Sequence, residues 1–369
     1  MNEKRTYRIM ISGGGTGGHI YPAISIAQAL QVQLDGPEIL FVGAKGRMEM
    51  HKIPEAGFEI VGLWISGLQR KLSIQNLLFP LKVIASLLKS FSLIRKFKPD
   101  AVVGVGGYAS GPLLYAASAK KIPTLIQEQN SYAGLTNKWL AQRVNKICVA
   151  HDGMEKYFPA DKLIVTGNPV REHIVLDASR IDEAFDFFGF NHEKPTIFMV
   201  GGSLGARTLN EAMLANLEKF VEAGIQVIWQ TGRGYYDEMK LRSSVRNSDQ
   251  VKMIDFLKEM NLAYAVADVV ISRAGALSIA ELEHIGKAVI LIPSPNVAED
   301  HQTLNAKALV EKEAAILIKD TDVIEQLADK TMKLLKDKER RNALSLNIKS
   351  MARTNAAKRI ASEVIKLVA

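Results

Sequence analysis

The sequence predicts an α/β protein of two doubly wound, parallel-sheet domains facing a cleft, and three observations lead there. Short apolar runs alternate with helical patterns along most of the chain, the pattern of parallel strands buried on both faces. Each half opens on the same unit, an apolar run, a glycine-rich turn and a helix. At 369 residues the chain can bury two cores.

In the first half the strands are expected at 8–12, 38–42, 59–63, 101–105, 124–127, 146–150 and 163–166. The first runs into Gly13-Gly14-Gly15-Thr16-Gly17-Gly18-His19 and a helical pattern from Ile20 to Leu30. Glycines let backbone N–H groups approach a phosphate or sugar, and a helix start favours negative charge. Gly13, Gly15 and Gly18 also fit the dinucleotide spacing G-x-G-x-x-G. That reading needs an acid at the end of the second strand to hold a ribose. The strand instead ends Leu40-Phe41-Val42-Gly43-Ala44, which argues against a nicotinamide-dependent oxidoreductase. His19 is the one side chain of the turn able to titrate near neutrality. It is a candidate general base or orienter of an acceptor hydroxyl, or a helix-start histidine bonded to nearby backbone.

The fourth strand ends in a second glycine turn, Gly104 to Pro112, which includes Tyr108. The fifth ends Gln127-Glu128-Gln129-Asn130-Ser131, followed by Gly134-Leu135-Thr136-Asn137-Lys138. Polar residues directly after a buried strand suit a ligand's hydroxyls and amides. A boundary is expected near Gly167-Asn168-Pro169-Val170-Arg171, giving domains at 1–168 and 169–351.

In the second half strands are expected at 196–200, 226–230, 251–254, 269–272, 288–292 and 314–318. The run Gly201-Gly202-Ser203-Leu204-Gly205-Ala206-Arg207 is the counterpart of the first turn. N–H groups around Ser203 can hold a diphosphate, and Arg171 could reach it. Ser272-Arg273-Ala274-Gly275-Ala276-Leu277-Ser278-Ile279-Ala280-Glu281 ends another strand and starts a helix. Its N-terminus suits phosphate, and Glu281 suits the ribose hydroxyls. After Asp320 the pattern is helical, and the last helix, 352–369, could return to the first domain.

Composition narrows the function. Hydrophobic residues make up 47% and charged residues 23%, as in ordinary globular proteins. The single cysteine, Cys148, excludes an internal disulfide and reads as a buried, inert thiol. No signal peptide and no spanning apolar run is read, so a cytoplasmic protein is expected. There is no Walker lysine, no H-E-x-x-H and no D-x-D after a strand. A diphosphate would therefore be neutralised by helix ends and Arg171, with no cofactor or metal required.

The net charge of +8 is lopsided. Residues 1–170 carry 20 Lys and Arg against 11 Asp and Glu, the remainder 27 against 28. No acid occurs between Glu59 and Asp100, where Arg70, Lys71, Lys82, Lys89, Arg95, Lys96 and Lys98 lie. An anionic partner for the first domain follows. Nucleic acid is disfavoured, because residues 72–97 lack interleaved aromatics other than Phe.

The runs 13–23, 106–112, 128–138, 167–171, 201–207 and 272–281 together resemble the MurG family. These bacterial enzymes add N-acetylglucosamine to the lipid-linked muramyl-pentapeptide of peptidoglycan synthesis. The resemblance runs in family order from about residue 8 to about residue 310. It implies a GT-B fold of two Rossmann-like domains, with UDP-N-acetylglucosamine as a substrate bound mainly by the second. It implies diphosphate ligands at Arg171 and Ser203, a uracil contact at Leu257, phosphate and ribose contacts from Ala276 to Glu281, and a sugar contact at Gln302. Gln302 follows a loop, 293–300, that varies in length within the family. Thr16, Gly17, Gly18 and Asn130 match positions on the sugar and acceptor side, with Tyr108 and Asn137 nearby.

The implied reaction is inverting. The 4-hydroxyl of undecaprenyl-diphosphate-linked N-acetylmuramyl-pentapeptide attacks the anomeric carbon, converting lipid I to lipid II. His19 is the first candidate base and Glu128 the second. A lipid-linked acceptor also gives the basic stretch 72–98 a role, as a contact with the anionic cytoplasmic face of the inner membrane. Ile84, Leu88 and Phe91 are expected on its apolar face. A UDP-sugar epimerase or a silent nucleotide-sugar binder would share the two-domain plan. UDP release with and without lipid acceptor separates the transferase from the epimerase.

Overall fold

The computed structural model describes residues 6–67, 78–170, 178–202, 204–245, 248–297 and 300–369. The chain divides into two compact units, one of residues 1–171 with 353–369, the other of residues 172–352.

In the first unit the strands are β1 (Arg8–Ser12), β2 (Glu38–Ala44), β3 (Glu59–Leu63), β4 (Ala101–Gly104), β5 (Thr124–Glu128), β6 (Lys146–Val149) and β7 (Leu163–Val165). They form one sheet in the order β3-β2-β1-β4-β5-β6-β7, with every pair parallel. Its helices are α1 (Gly17–Gln33), α2 (Glu49–Glu55), α3 (Phe79–Phe97), α4 (Ser110–Ala119) and α5 (Leu135–Leu140). Parallel pairing puts all the strand C-termini, and so all the turns singled out in this half, on one edge of the sheet.

The second unit repeats the plan. Strands β8 (Thr196–Val200), β9 (Gln226–Gln230), β10 (Val251–Ile254), β11 (Val269–Ser272), β12 (Ala288–Leu291) and β13 (Ile316–Leu317) form a parallel sheet ordered β10-β9-β8-β11-β12-β13. Helices α6 (Ile181–Phe188), α7 (Arg207–Glu222), α8 (Tyr236–Arg242), α9 (Met260–Val266), α10 (Ala276–Ile285), α11 (His301–Val310), α12 (Val323–Lys336) and α13 (Lys338–Ser350) flank it.

The last helix, α14 (Ala356–Val368), belongs to the first unit. Its Ala357, Ile360, Ala361 and Val364 are buried with Ile9, Ile11, Ile24, Ala27 and Cys148. Gln33 at the end of α1 donates to the Lys358 carbonyl at 2.9 Å and accepts from Ser362 at 2.8 Å. Helix α1 thus lies under α14 and is apolar nearly all round: Ile20, Ala23, Ile24, Ile26, Ala27, Ala29 and Leu30 are all buried.

Helix α3 reverses the usual arrangement along part of its length. Ser86 and Ser90 face inward, with Ser86 donating to the Trp64 carbonyl at 3.1 Å and Ser90 to the Ser86 carbonyl at 2.7 Å. Leu78, just before the helix, and Leu81, Ile84 and Leu88 within it are exposed at 41%, 56%, 55% and 67%. Spacings of three to four residues put them on one face. Phe91, expected on that face, packs instead against the core with Val83, Leu93 and Phe97. Residues 68–77, which the basic stretch also covers, lie outside the described residues.

Candidate active site

In the first unit three turns interlock. Helix α1 starts at Thr16, an extended residue whose carbonyl accepts from the His19 and Ile20 N–H groups at 3.1 and 3.2 Å. The His19 side chain turns back, and its Nδ1 lies 3.0 Å from the Gly14 carbonyl oxygen. A carbonyl only accepts, so Nδ1 carries the proton and the lone pair of the neutral ring is at Nε2. The ring lies against Gly106, where a Cβ would sit 2.6 Å from its Cδ2 and 2.7 Å from its Nε2. Gly107 packs on the Gly14 peptide in the same way. Both have φ near +90°, at 100° and 89°, so glycine is needed there for conformation and for space. Ser110 ties the two turns together, donating to the Gly106 carbonyl at 2.8 Å and the Ser12 carbonyl at 3.1 Å. Tyr108 is 47% exposed beside Gly67. Thr16 and Gly18 are exposed, and Gly17 half-buried.

An acid does reach the first turn, though not from the end of β2. Glu49, at the start of α2, is 1% exposed. Its Oε2 accepts from the Gly15 N–H at 2.9 Å and its Oε1 from the Ala44 N–H at 3.0 Å. Its footprints are Gly14 and Gly43, where any Cβ would overlap the Glu49 side chain. The carboxylate therefore holds backbone where a dinucleotide fold would offer its acid to ribose.

The run at the end of β5 is more internal than expected. Gln127, Glu128 and Gln129 are each at most 2% exposed. Gln127 donates to Asn168 at 3.1 Å, Asn168 to the Gln129 carbonyl at 3.0 Å, and Gln129 to the Val105 carbonyl at 2.7 Å and to the Gln127 amide oxygen. These polar side chains brace one another under the turns, a satisfied buried network. Both oxygens of Glu128 are occupied: Oε1 by the Asn130 N–H at 3.1 Å and the Asn130 amide at 3.3 Å, Oε2 by the Gly134 N–H at 2.9 Å and the Asn137 amide at 2.8 Å. Such a carboxylate shapes the loop that carries Asn130. Its geometry suits holding better than proton transfer.

The second unit interlocks differently. A Cβ on Gly205, at φ 76°, would overlap the Thr231 carbonyl oxygen, and one on Gly232, at φ 84°, would overlap the Gly205 backbone. Gln230, at the end of β9, bridges two turns. Its amide donates to the Gly202 carbonyl at 3.2 Å, and its Oε1 accepts from the Leu257 N–H at 3.0 Å. This places Leu257 beside the glycine turn. Helix α10 begins at Ala276 after Gly275, without a side-chain cap. Ala276, Leu277 and Ser278 form its first turn, followed by Ile279 and Ala280, with Glu281 half-buried. Arg273 is turned away from that helix end: it donates to the Ile292 and Pro293 carbonyls at 3.1 and 3.3 Å and pairs with Asp320. It thereby fixes the loop in which the Ser294 N–H donates to Gln302 at 2.9 Å. Arg171 and Ser203 lie outside the described residues. Among the described residues no three His, Cys, Asp or Glu side chains are grouped to hold a metal ion.

Sequence reasoning missed Glu49, Gln230 and Arg273 as organisers of these turns. The signal available for Glu49 was the pair of glycines that make room for it.

Comparison with known proteins places these turns in context. Residues 9–149 match the glycosyltransferase family 28 N-terminal domain, and residues 196–362 its C-terminal domain. A protein of Cytophaga hutchinsonii is 55% identical over 100% of this chain and 99% of its own length. One of Parabacteroides distasonis is 53% identical over 99% of both. Both are named UDP-N-acetylglucosamine–N-acetylmuramyl-(pentapeptide) pyrophosphoryl-undecaprenol N-acetylglucosamine transferase. The crystal structure of Acinetobacter baumannii MurG superposes with a TM-score of 0.78 at 27% identity, covering 98% of this chain and 100% of that one. A putative UDP-N-acetylglucosamine 2-epimerase of Listeria monocytogenes shares the fold, with a TM-score of 0.68 at 14% identity over 98% of this chain and 96% of that one.

Proposed function

The chain belongs to glycosyltransferase family 28, and from that premise we infer that it transfers N-acetylglucosamine from UDP-N-acetylglucosamine to undecaprenyl-diphosphate-linked N-acetylmuramyl-pentapeptide, making lipid II for peptidoglycan. The observation that carries this reading is the end-to-end likeness to transferases of that name.

The donor is assigned to the second unit. The helix end at the start of α10, after Gly275, favours a phosphate, and Glu281 further along the helix accepts from the ribose hydroxyls. The Leu257 backbone lies where uracil is read, and Gln302 takes the sugar hydroxyls. Ser203 and Arg171 are the further diphosphate ligands that the family resemblance implies. UDP leaves as a trianion, with one negative charge more than its diphosphate carries in the donor, so charge develops on the diphosphate as the glycosidic bond breaks. Donors fixed in advance stabilise that charge without reorganising, and no metal or cofactor is required.

The acceptor and its chemistry are assigned to the first unit. His19, with its lone pair at Nε2, takes the proton of the attacking 4-hydroxyl in an inverting displacement. Thr16, Gly17, Gly18, Tyr108 and Asn130 line the same edge and position the sugars. Glu128 and Asn137 hold the Asn130 loop in place. The Gly15 N–H is taken by Glu49, so it is not among the donors with which this turn faces the acceptor's diphosphate.

The exposed apolar face of α3 rests on the membrane that carries the acceptor, at its cytoplasmic surface. Leu81, Ile84 and Leu88 enter the interface, and Arg95, Lys96 and Lys98 meet anionic headgroups. No helix among the described residues is long and apolar enough to cross a membrane.

The test is UDP release from UDP-N-acetylglucosamine with and without the lipid-linked muramyl-pentapeptide. Acceptor-dependent release, with the disaccharide recovered on the lipid, is expected. Release or sugar isomerisation that ignores the acceptor would establish the epimerase class instead.

A further inference from the structure

We propose that Glu49 is a positioning residue for His19, acting on it through the Gly14–Gly15 peptide. The inference rests on reading His19 as the group that meets the acceptor hydroxyl.

The geometry is a chain of three members. The Glu49 Oε2 accepts from the Gly15 N–H at 2.9 Å. That N–H and the Gly14 carbonyl are the two ends of one planar, conjugated peptide unit. The Gly14 carbonyl oxygen in turn accepts from the His19 Nδ1 at 3.0 Å. A carboxylate on the N–H pushes electron density toward the carbonyl oxygen, which becomes a better acceptor for the imidazole proton. This is the arrangement in which a carboxylate orients a histidine, with a peptide inserted between the two.

The rest of the packing serves the same contact. The second Glu49 oxygen is fixed by the Ala44 N–H at 3.0 Å, so the carboxylate cannot rotate away. At 1% exposure it is shielded from water. It sits in the first turn of α2, where the helix end favours its charge. Glycine at 14 and 43 leaves the space it fills, and Gly107 presses on the far side of the Gly14 peptide. Three consequences follow for His19. Its ring plane is fixed, its proton is held on Nδ1 with the lone pair at Nε2, and its proton affinity rises because the imidazolium is stabilised. Among the described residues of these elements, the other titratable or charged side chains are Tyr21 on α1, Lys45, Arg47, His51, Lys52 and Glu55 from the end of β2 to the end of α2, Tyr108 after β4 and Glu128 at the end of β5.

Histidine ¹⁵N and ¹H NMR on the full-length enzyme, with His19 assigned by substitution, tests this directly. In the wild type the neutral ring is expected as the Nδ1–H tautomer. The Nε2–H tautomer would overturn the proposal whatever any variant does. In Glu49→Gln the amide can accept from only one of the two N–H groups and opposes the other with its own donors. The His19 titration midpoint is expected to fall by about half a unit or more, and the ascending limb of kcat/KM against pH to move down with it. The same change should lower kcat roughly 10- to 100-fold while KM for both substrates stays within about twofold. Glu49→Asp restores the charge and should recover part of the midpoint shift. Glu55→Gln, on the exposed side of α2, should change nothing. Equal loss in kcat with an unmoved His19 midpoint would reduce Glu49 to a structural role and sink the proposal. Failure of the base reading looks different: His19→Gln would retain turnover, while the His19 midpoint in Glu49→Gln still reports on the coupling.

Discussion

After β1 the glycine turn rests on a carboxylate, and after β8 it rests on an amide. Glu49 accepts from the Gly15 N–H in the first, whereas Gln230 donates to the Gly202 carbonyl in the second. Each turn precedes a helix, each uses glycines at positive φ, and each is clamped by a neighbouring glycine, Gly107 or Gly232. The difference is in charge. A buried negative charge at the start of α1 offsets the attraction of that helix end for a further anion. The second turn is flanked by Arg207 and Arg233, which lie over the Tyr235 and Phe256 rings at 5.3 and 5.2 Å. One motif therefore serves two purposes. The glycine spacing sets how closely a ligand could approach, and the residue beneath sets the local charge of the turn.

The sharpest way to break this division is to remove the proposed base from the first turn. His19→Ala should lower kcat by about 10²- to 10⁴-fold, the usual contribution of a positioned base, and leave UDP affinity unchanged in calorimetry. A rise in acceptor KM with kcat preserved would make His19 a binding group only.

Next in size is the proposed membrane face of the first unit. Leu81, Ile84 and Leu88 changed together to Ser should lower partitioning onto anionic vesicles by roughly a hundredfold or more, at about 1–1.5 kcal/mol for each partly inserted side chain. These are cleaner probes than charge reversals. Lys82 donates to Ser66 at 2.9 Å and Lys89 to the Gly62 carbonyl at 3.2 Å, so changing either also disturbs the fold. Unchanged vesicle binding in the triple variant would remove α3 from the membrane contact.

On the donor side, Glu281→Ala should raise KM for UDP-N-acetylglucosamine about 10- to 100-fold, the loss of hydrogen bonds to a charged acceptor. It should leave the pH profile of kcat in place, since the proposed base, His19, stands in the first turn. A matching loss in kcat alone would mean that Glu281 acts in the transition state.

How far the sequence carries this picture depends on the range of the interactions. Strands such as 8–12 and 196–200 and the glycine turns that end them were legible, because short apolar runs and glycine clusters are local signals. The roles of the acids were not. Glu49 comes five residues after β2 ends, and nothing in its neighbours shows that its side chain folds back under Gly15. Glu128 read as the second candidate base, and nothing in the sequence showed the four donors that hold its carboxylate. Gln127 and Gln129 looked like ligand groups, because a buried amide network brings together residues as far apart as 127 and 168. On α3 the periodicity found an apolar face but misplaced Phe91. The inward serines bond to backbone, so hydrophobicity did not mark the buried side.

The smallest expected effect separates the conformational role of a glycine from its packing role. Gly15 has φ 84° and a Cβ there would meet no atom within 4 Å, whereas the second turn's Gly205 has no room for one. Gly15→Ala thus adds strain without a clash. Left-handed backbone costs about 1–2 kcal/mol for an L-residue, offset by about 0.4–1 kcal/mol from a stiffer unfolded chain. A net loss near 1 kcal/mol would open the first unit about fivefold more often. Cys148 reads this opening, since it lies in β6 of that unit and is fully buried. Burial, and then the charge of Glu363, push its thiol up to about 12, while a Thr166 contact acts the other way. At pH 8 the folded state then exposes roughly one thiolate in ten thousand, so labelling proceeds through opening. A labelling rate about fivefold higher in Gly15→Ala, with donor affinity unchanged, is expected. A change of fiftyfold or more would mean that the Gly15 position also carries packing, and that the first turn is as tightly closed as the second.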